Sequence, residues 1–201
     1  MNNFIKSSMI VFICLLCLQT NAQGVGIQFY QGINKPMVTF KGDGESISYK
    51  SNFTSDTKIG IWIGDLKRLS FSTLIGASTV EAVYTSTDVI SSFTHSSLLI
   101  DAPVRYSFLK SPISSIAIGP SMGILMASSQ TTNGLPIRSE NNFNQTNYSL
   151  LTEVAFAGYT NKKLTLHPYI SYRMMLSSAD SDGDDLLING LSFGLRIDIA
   201  K

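Results

Sequence analysis

The residues best suited to chemistry in this chain of 201 residues are charged side chains within otherwise apolar segments. The segment LLIDAPVRYSF, residues 98–108, carries Asp101 and Arg105 on either side of Pro103. Opposite charges that are withdrawn from water must pair or be hydrogen-bonded. Such charges either fill and seal an interior or form a gated path for protons or ions, and the sequence leaves both interpretations open.

A Ser–His pair is a second candidate for chemistry. His95 is followed by Ser96 and Ser97 in FTHSS, and a histidine beside a serine is the minimum for a nucleophilic hydrolase, here one acting on lipids. No carboxylate is placed to orient the imidazole, and adjacent residues of a strand point to opposite faces. A role as polar fill is therefore favoured over catalysis for His95, and more strongly still for His167.

An acidic run, DSDGDD, begins at Asp180 and suggests a calcium loop. Asp182 and Asp184 continue an alternate spacing, but Gly183 comes too early for an EF-hand, and Leu191 stands where position 12 requires Glu. We expect a solvated acidic loop, with no bound metal and no cofactor.

Period-two alternation of apolar side chains supplies the elements that would position these residues. It predicts an all-β chain of eight strands, each with two different faces. Short turns alternate with long polar connections, which is typical of an antiparallel up-and-down transmembrane β-barrel, whereas a soluble periplasmic sandwich, the rival fold, needs no such alternation. The predicted strands are 24–33, 57–65, 69–84, 95–109, 113–128, 147–160, 163–177 and 186–199, with long loops at 34–56, 85–94, 129–146 and 178–185. The stretch 37–50 either extends the first strand or forms a hairpin of its own.

One face of the predicted strands is bulky and apolar, and the other is small and polar. The interior of an eight-stranded barrel is only just wide enough to be filled by side chains, so the small face is expected inside and the bulky face against lipid. Because Pro103 lacks an N–H group, the strand ladder should be irregular there. The same parity places a charge-balanced set of three acids and three bases in the lumen: Asp101, Glu153, Asp198, Arg105, Arg173 and Arg196.

The first residues have the features of an export signal. Lys6 supplies a positive charge, residues 9–18 form an apolar core about half as long as a membrane-spanning helix, and a small residue, Ala22, ends a cleavage site. We therefore expect a signal peptide at 1–22, cleaved after Ala22, and one outer-membrane β-barrel domain at 23–201.

Cysteines and charge exclude several classes of protein. Cys14 and Cys17 both fall in the expected signal peptide, so the mature chain would have no disulfide, thiolate metal site or cysteine nucleophile. A net charge of +1 with 14% charged residues gives no basic stripe for nucleic acid, and 44% hydrophobic residues exclude a disordered chain.

The central segment, residues 96–126, resembles the central hairpin of the PorT-like outer-membrane β-barrel proteins of Bacteroidota. The strand pattern apolar-x-x-Pro-apolar-x-Tyr-x-Phe is followed by a tight turn and then by Gly-Pro with small residues. The closing segment NGLSFGLRIDI (189–199) is similar to the family's last strand, whereas Asp101 departs from the Glu that is more frequent there. The matching positions are Pro103, Tyr106, Phe108, Gly119, Pro120 and Gly123. The resemblance implies a barrel in the outer membrane and assigns no activity.

These observations favour a non-enzymatic, monomeric outer-membrane barrel with a plugged lumen and a structural or interaction role through its extracellular loops. Its expected surroundings are outer-membrane lipid and lipopolysaccharide, with an envelope protein as a possible partner. Three alternatives stay open, namely an accessory or assembly component of a secretion or envelope machine, a membrane-embedded lipid hydrolase and a narrow channel.

Overall fold

The computed structural model describes residues 24–42, 45–65, 68–108, 111–138, 142–161, 163–180 and 185–200. The expected signal peptide, residues 1–22, lies outside them. The described residues form these strands: β1 (Gly24–Gly42), β2 (Glu45–Ser51), β3 (Thr54–Gly64), β4 (Leu69–Thr85), β5 (Ile90–Asp101), β6 (Val104–Ser107), β7 (Ile113–Thr132), β8 (Leu135–Arg138), β9 (Thr146–Phe156), β10 (Leu164–Met175) and β11 (Asp185–Ala200). No helix among the described residues is long and apolar enough to cross a membrane.

The first and last strands close the sheet on itself. β1 pairs antiparallel with β11 from Gly26 to Lys41 and, on its other side, with β2 and β3. β2 and β3 occupy one of the eight positions in the wall, and β5 and β6 occupy another. β8 is a short strand that folds back antiparallel on the end of β7. The predicted fold, an eight-stranded antiparallel up-and-down barrel, is confirmed.

The hydrogen-bonded register sets the stagger of the barrel. A row of paired residues that starts at Val25 returns to β1 at Lys35, ten residues further along the strand. A stagger of this kind tilts the strands by roughly 35–45° and fixes how narrow the interior is. The intermediate residues of this row are Ile63, Phe71, Val104, Ile118, Thr152, Tyr172 and Leu191.

The two faces of the wall are as different as the alternation predicts. Ile59 and Ile61 point outward and are each 51% exposed, whereas Trp62, the residue after Ile61, points inward and is 3% exposed. Outward aliphatic residues continue around the barrel, for example Ile27, which pairs with both Ile61 and Ile199. The exterior thus carries a largely apolar belt, and the lumen is filled by side chains.

The long loops predicted from the sequence are wrong in extent. Most of 34–56 is strand, since β1 runs on to Gly42 and β2 returns from Glu45, so that 37–50 both extends the first strand and forms a hairpin. The predicted loops at 85–94 and 129–146 are shortened because β5 begins at Ile90 and β7 extends to Thr132. We call this end, with Gly42, Thr85 and Thr132, the loop end, and the opposite end, with Gly24, Gly64 and Ala200, the turn end.

The proline in the central strand interrupts the ladder without shifting its register. β5 ends at Asp101 and β6 begins at Val104, yet both pair with β7 in one continuous register. Pro103 donates no bond, but its carbonyl still accepts the N–H of Ser72 at 3.0 Å. The irregularity expected at Pro103 is therefore one missing bond and not a bulge.

Candidate functional site: the charged lumen

Five strands direct the six charged residues singled out in the sequence into the lumen. Asp101 ends β5, Arg105 lies on β6, Glu153 on β9 and Arg173 on β10, and β11 carries the remaining two, Arg196 and Asp198. Five of the six are at most 3% exposed, and the side chain of Arg173 is 13% exposed. The structure brings them together in two clusters.

The Asp101 cluster consists of Asp56, Lys58, Asp101 and Arg173. Arg173 Nη2 donates to both carboxylate oxygens of Asp101, at 3.0 and 2.9 Å, and Lys58 Nζ lies 3.1 Å from Asp101 Oδ2. Lys58 Nζ also lies 3.6 Å from Asp56 Oδ1. One carboxylate therefore holds two cations within the barrel, and a second carboxylate balances the extra positive charge.

The Arg196 cluster consists of Arg105, Glu153, Arg196 and Asp198. Arg196 Nη1 donates to Glu153 Oε1 at 2.6 Å, and its Nε donates to Asp198 Oδ2 at 3.1 Å. Arg105 Nη2 lies 3.6 Å from the same Glu153 oxygen. Gln28 also donates to Asp198, at 2.6 Å, so the acids of this cluster are held by several strands.

Two tyrosines join the clusters. Arg105 Nη2 donates to the Tyr30 hydroxyl at 2.7 Å, and the Tyr169 hydroxyl donates to Asp56 Oδ2 at 3.0 Å. The two rings meet edge to face, with centroids 5.1 Å apart at an interplanar angle of 75°. The barrel core is thus one connected polar structure, with aromatic rings between its two ionic layers.

Sequence reasoning missed Asp56 and Lys58. Lys58 lies in the predicted second strand on the same parity as Trp62, so the alternation already placed it inside; Asp56 lay one residue before that strand's predicted start. With this pair included, the two ionic clusters hold four acids, Asp56, Asp101, Glu153 and Asp198, against four bases, Lys58, Arg105, Arg173 and Arg196. The enlarged set is still charge-balanced.

Apolar side chains fill the lumen towards the loop end. Phe143, from the connection between β8 and β9, is 2% exposed and packs against Phe93 with centroids 5.9 Å apart. Its neighbour Asn144 donates to the carbonyls of Ser178 and Asp180, at 3.0 and 2.7 Å, which ties two connections together. This apolar plug consists of Val38, Val80, Ala82, Phe93, Leu125, Phe143, Met175, Ala179, Leu186 and Ile188.

His95 belongs to the interior and lies beneath this plug. It is 2% exposed, stacks on Phe93 at 5.9 Å, and its Nδ1 lies 3.2 Å from Ser128 Oγ. The hydroxyl beside it thus comes from β7 rather than from the adjacent Ser96 or Ser97. A buried imidazole without a carboxylate partner among the described residues lacks the orienting group of a hydrolase.

The other polar candidates are only partly described. Asp180 is buried and forms a bridge with Phe143, while Asp182 and Asp184 of the acidic run lie outside the described residues. Within the described part of the chain, no group of three or more His, Cys, Asp or Glu side chains could hold a metal ion.

The family-like residues of the central hairpin lie where β6 and β7 approach closely. The aromatic rings of Tyr106 and Phe108 meet at 5.1 Å near the turn end. A Cβ atom on Gly119 would lie 2.5 Å from Pro103 Cα, so only glycine fits at this position. The carbonyl of Pro120 accepts the N–H of Ala102 at 2.9 Å, and Gly123 leaves room for the side chain of Asn147.

No family model matches the chain, and no curated protein matches it. Solved structures similar to it include Neisserial surface protein A, at 16% identity and a TM-score of 0.44, covering 88% of this chain and 97% of that one. The attachment invasion locus protein Ail of Yersinia pestis is 12% identical with a TM-score of 0.46, covering 88% and 99%. The outer membrane protein OprG from Pseudomonas aeruginosa is 11% identical with a TM-score of 0.31, covering 90% and 94%.

Proposed function

We propose that this chain is a small outer-membrane β-barrel protein with a sealed lumen, and that it has a structural or interaction role at its loop end rather than an enzymatic one. The observation that carries the proposal is the distribution of side chains across the barrel wall. The outward side chains are mostly apolar and the inward ones include the two ionic clusters, which is the reverse of a soluble protein. A soluble protein rarely exposes apolar patches beyond a few hundred Å², whereas lipid solvates such a belt. The resemblance to PorT-like proteins is part of this proposal.

The lengths of the connections between strands indicate how the barrel is oriented in the membrane. Barrels of this class have short periplasmic turns and longer extracellular connections, so the turn end would be periplasmic and the loop end extracellular. The surroundings we propose are outer-membrane lipid, lipopolysaccharide and, at either rim, an envelope protein partner. The barrel itself is a monomer in this proposal, because the described wall strands pair with neighbours on both sides and the sheet closes between β1 and β11.

The location is tested by cell fractionation with a heat-modifiability gel. The mature protein should appear in the outer-membrane fraction, and the unboiled sample should migrate differently from the boiled one because the closed barrel resists detergent until heated. A chain that stays in the soluble periplasmic fraction would overturn the proposal.

The packed lumen predicts that the barrel does not conduct ions. The ionic clusters and the apolar plug fill successive levels of the interior along the barrel axis. The interior of an eight-stranded barrel is so narrow that these side chains leave no room for an aqueous pore. Purified barrel reconstituted in planar bilayers should give no reproducible current steps. Steps of constant size that depend on protein would instead support the narrow-channel alternative.

A further inference from the structure

One part of the apolar belt is polar. On the outer faces of β1 and β3, Gln31, Ser55 and Thr57 are exposed, although Phe29 and Ile33 flank Gln31 along the same face and are 37% and 44% exposed. Thr57 Oγ1 donates to Gln31 Oε1 at 3.1 Å, and the hydroxyls of Ser55 and Thr57 are also 3.1 Å apart. An amide carries two N–H donors besides this oxygen, and lipid tails offer no acceptor.

A groove runs along the wall at this position. It is lined by outward residues on β1, β3, β4 and β11, and Tyr30, Lys58 and Gly76 complete its lining. The polar members, Gln31 and Thr57, lie among aliphatic and aromatic side chains. The outward lining consists of Phe29, Gln31, Thr57, Ile59, Ile75 and Ile197.

We call Gln31, Ser55 and Thr57 the polar strip. An ammonium group, that of Lys35, lies at the end of this strip nearest the loop end. Lys35 lies four residues beyond Gln31 on the same face of β1, and its Nζ donates to the carbonyl of Ser51. The same nitrogen lies 5.0 Å from the centroid of the Phe53 ring, which in turn meets Phe193 edge to face at 6.0 Å. An ammonium has three donors, so this arrangement holds the cation in place and leaves donor capacity for an anion.

We propose that this outer-face groove binds a phosphorylated acyl glycolipid of the outer leaflet, an inference that rests on the proposed outer-membrane location. The order of chemistry along the wall matches such a molecule. Its phosphate pairs with Lys35 at the loop end, the amide and ester groups that attach its acyl chains hydrogen-bond to Gln31 and Thr57, and an acyl chain lies along Phe29 and Ile59. A second copy of the chain is the competing occupant, and the test distinguishes it.

The test compares the purified barrel with two variants and a matched control. Gln31→Leu/Thr57→Val removes the polar strip, Lys35→Met removes the cation, and Thr152→Val removes an outward hydroxyl from β9, on another part of the wall. The probes are phosphorylated lipid A, dephosphorylated lipid A and phosphatidylethanolamine, and bound lipid is counted by native mass spectrometry after detergent exchange. Each variant is first checked for outer-membrane location and heat-modifiability, so that a misplaced or unfolded barrel is not scored as a lost lipid site.

We expect the unaltered barrel and Thr152→Val to retain phosphorylated lipid A at least tenfold better than phosphatidylethanolamine. Lys35→Met should lose the preference for the phosphorylated over the dephosphorylated form, and the double variant should lose retention of both. Equal retention by all folded variants would overturn the proposal. So would a dimer of the unaltered barrel that disappears in the double variant, because the groove would then hold a second copy.

Discussion

Replacing Asp101 by asparagine is expected to lower the free energy of unfolding by about 3–5 kcal/mol, the usual cost of removing one partner from a buried ion pair. The carboxylate is the shared acceptor of Arg173 and Lys58, whose nitrogens lie 2.9 and 3.1 Å from Asp101 Oδ2. Asparagine keeps the volume of the side chain but carries no charge. Both cations would then remain buried, with only Asp56, 3.6 Å from Lys58, to compensate them.

The measurement is a urea titration of the refolded barrel in detergent, followed by the fluorescence of Trp62, which is the sole tryptophan of the chain. Glu81→Gln is the matched control, since Glu81 is an exposed acid at the outer face of β4. A single surface charge of this kind contributes roughly 0–1 kcal/mol. Equal losses in the two variants would show that the ionic core contributes nothing beyond surface charge.

A second substitution distinguishes two causes of the expected loss of stability. One is the lost attraction to the Asp101 carboxylate, and the other is the cost of leaving two buried cations without a partner. If Asp101→Asn destabilises the barrel because two buried cations are left without their acceptor, then adding Lys58→Met should recover part of the loss. Methionine fits the straight path of the lysine stem, and Asp56 would keep its bond from Tyr169. A double variant less stable than Asp101→Asn alone would contradict this explanation.

The sequence was sufficient for the barrel and for the inner face because both follow from a period of two. Asp101 and Arg105 differ in number by four, so they share a face whatever the register, and Arg196 and Asp198 share one in the same way. The pairing between strands could not be read in this way. Arg173 contacts Asp101 rather than a nearer residue in sequence because the ten-residue stagger brings β10 to the same height as the end of β5.

Strand ends were misjudged where the barrel leaves its apolar belt. Near the loop end the outward residues become polar, as at Thr79 and Glu81 of β4. Apolar and polar residues then no longer mark the two faces of the strand, although its hydrogen-bonded pairing with β5 continues. One local signal was available and overlooked. Asn133 and Gly134 have φ angles of 51° and 79°, which is the Asn-Gly turn that joins β7 to β8.

Gly119→Ala is expected to prevent the barrel from closing normally. The added Cβ would lie 2.4 Å from the carbonyl oxygen of Ala102 and 2.5 Å from Pro103 Cα, and both are backbone atoms that no change of rotamer can move. β7 cannot relieve the contact by sliding, because Ala102 N–H bonds to the carbonyl of Pro120 at 2.9 Å on the next residue. The two strands would have to separate at the position where Pro103 already removes one bond.

The measurement for Gly119→Ala is the fraction of purified chain that shows the heat-modifiable gel shift after refolding, which should fall from most of the chain to a small minority. Gly134→Ala is the matched control, because a Cβ there meets nothing within 4 Å and only the φ of 79° opposes it. That backbone strain costs about 1–2 kcal/mol and should leave the shift in place. Normal folding of Gly119→Ala would mean that β6 and β7 tolerate a wider spacing, and Gly119 would then be dispensable to the hairpin in which the proline and glycine of the central motif meet.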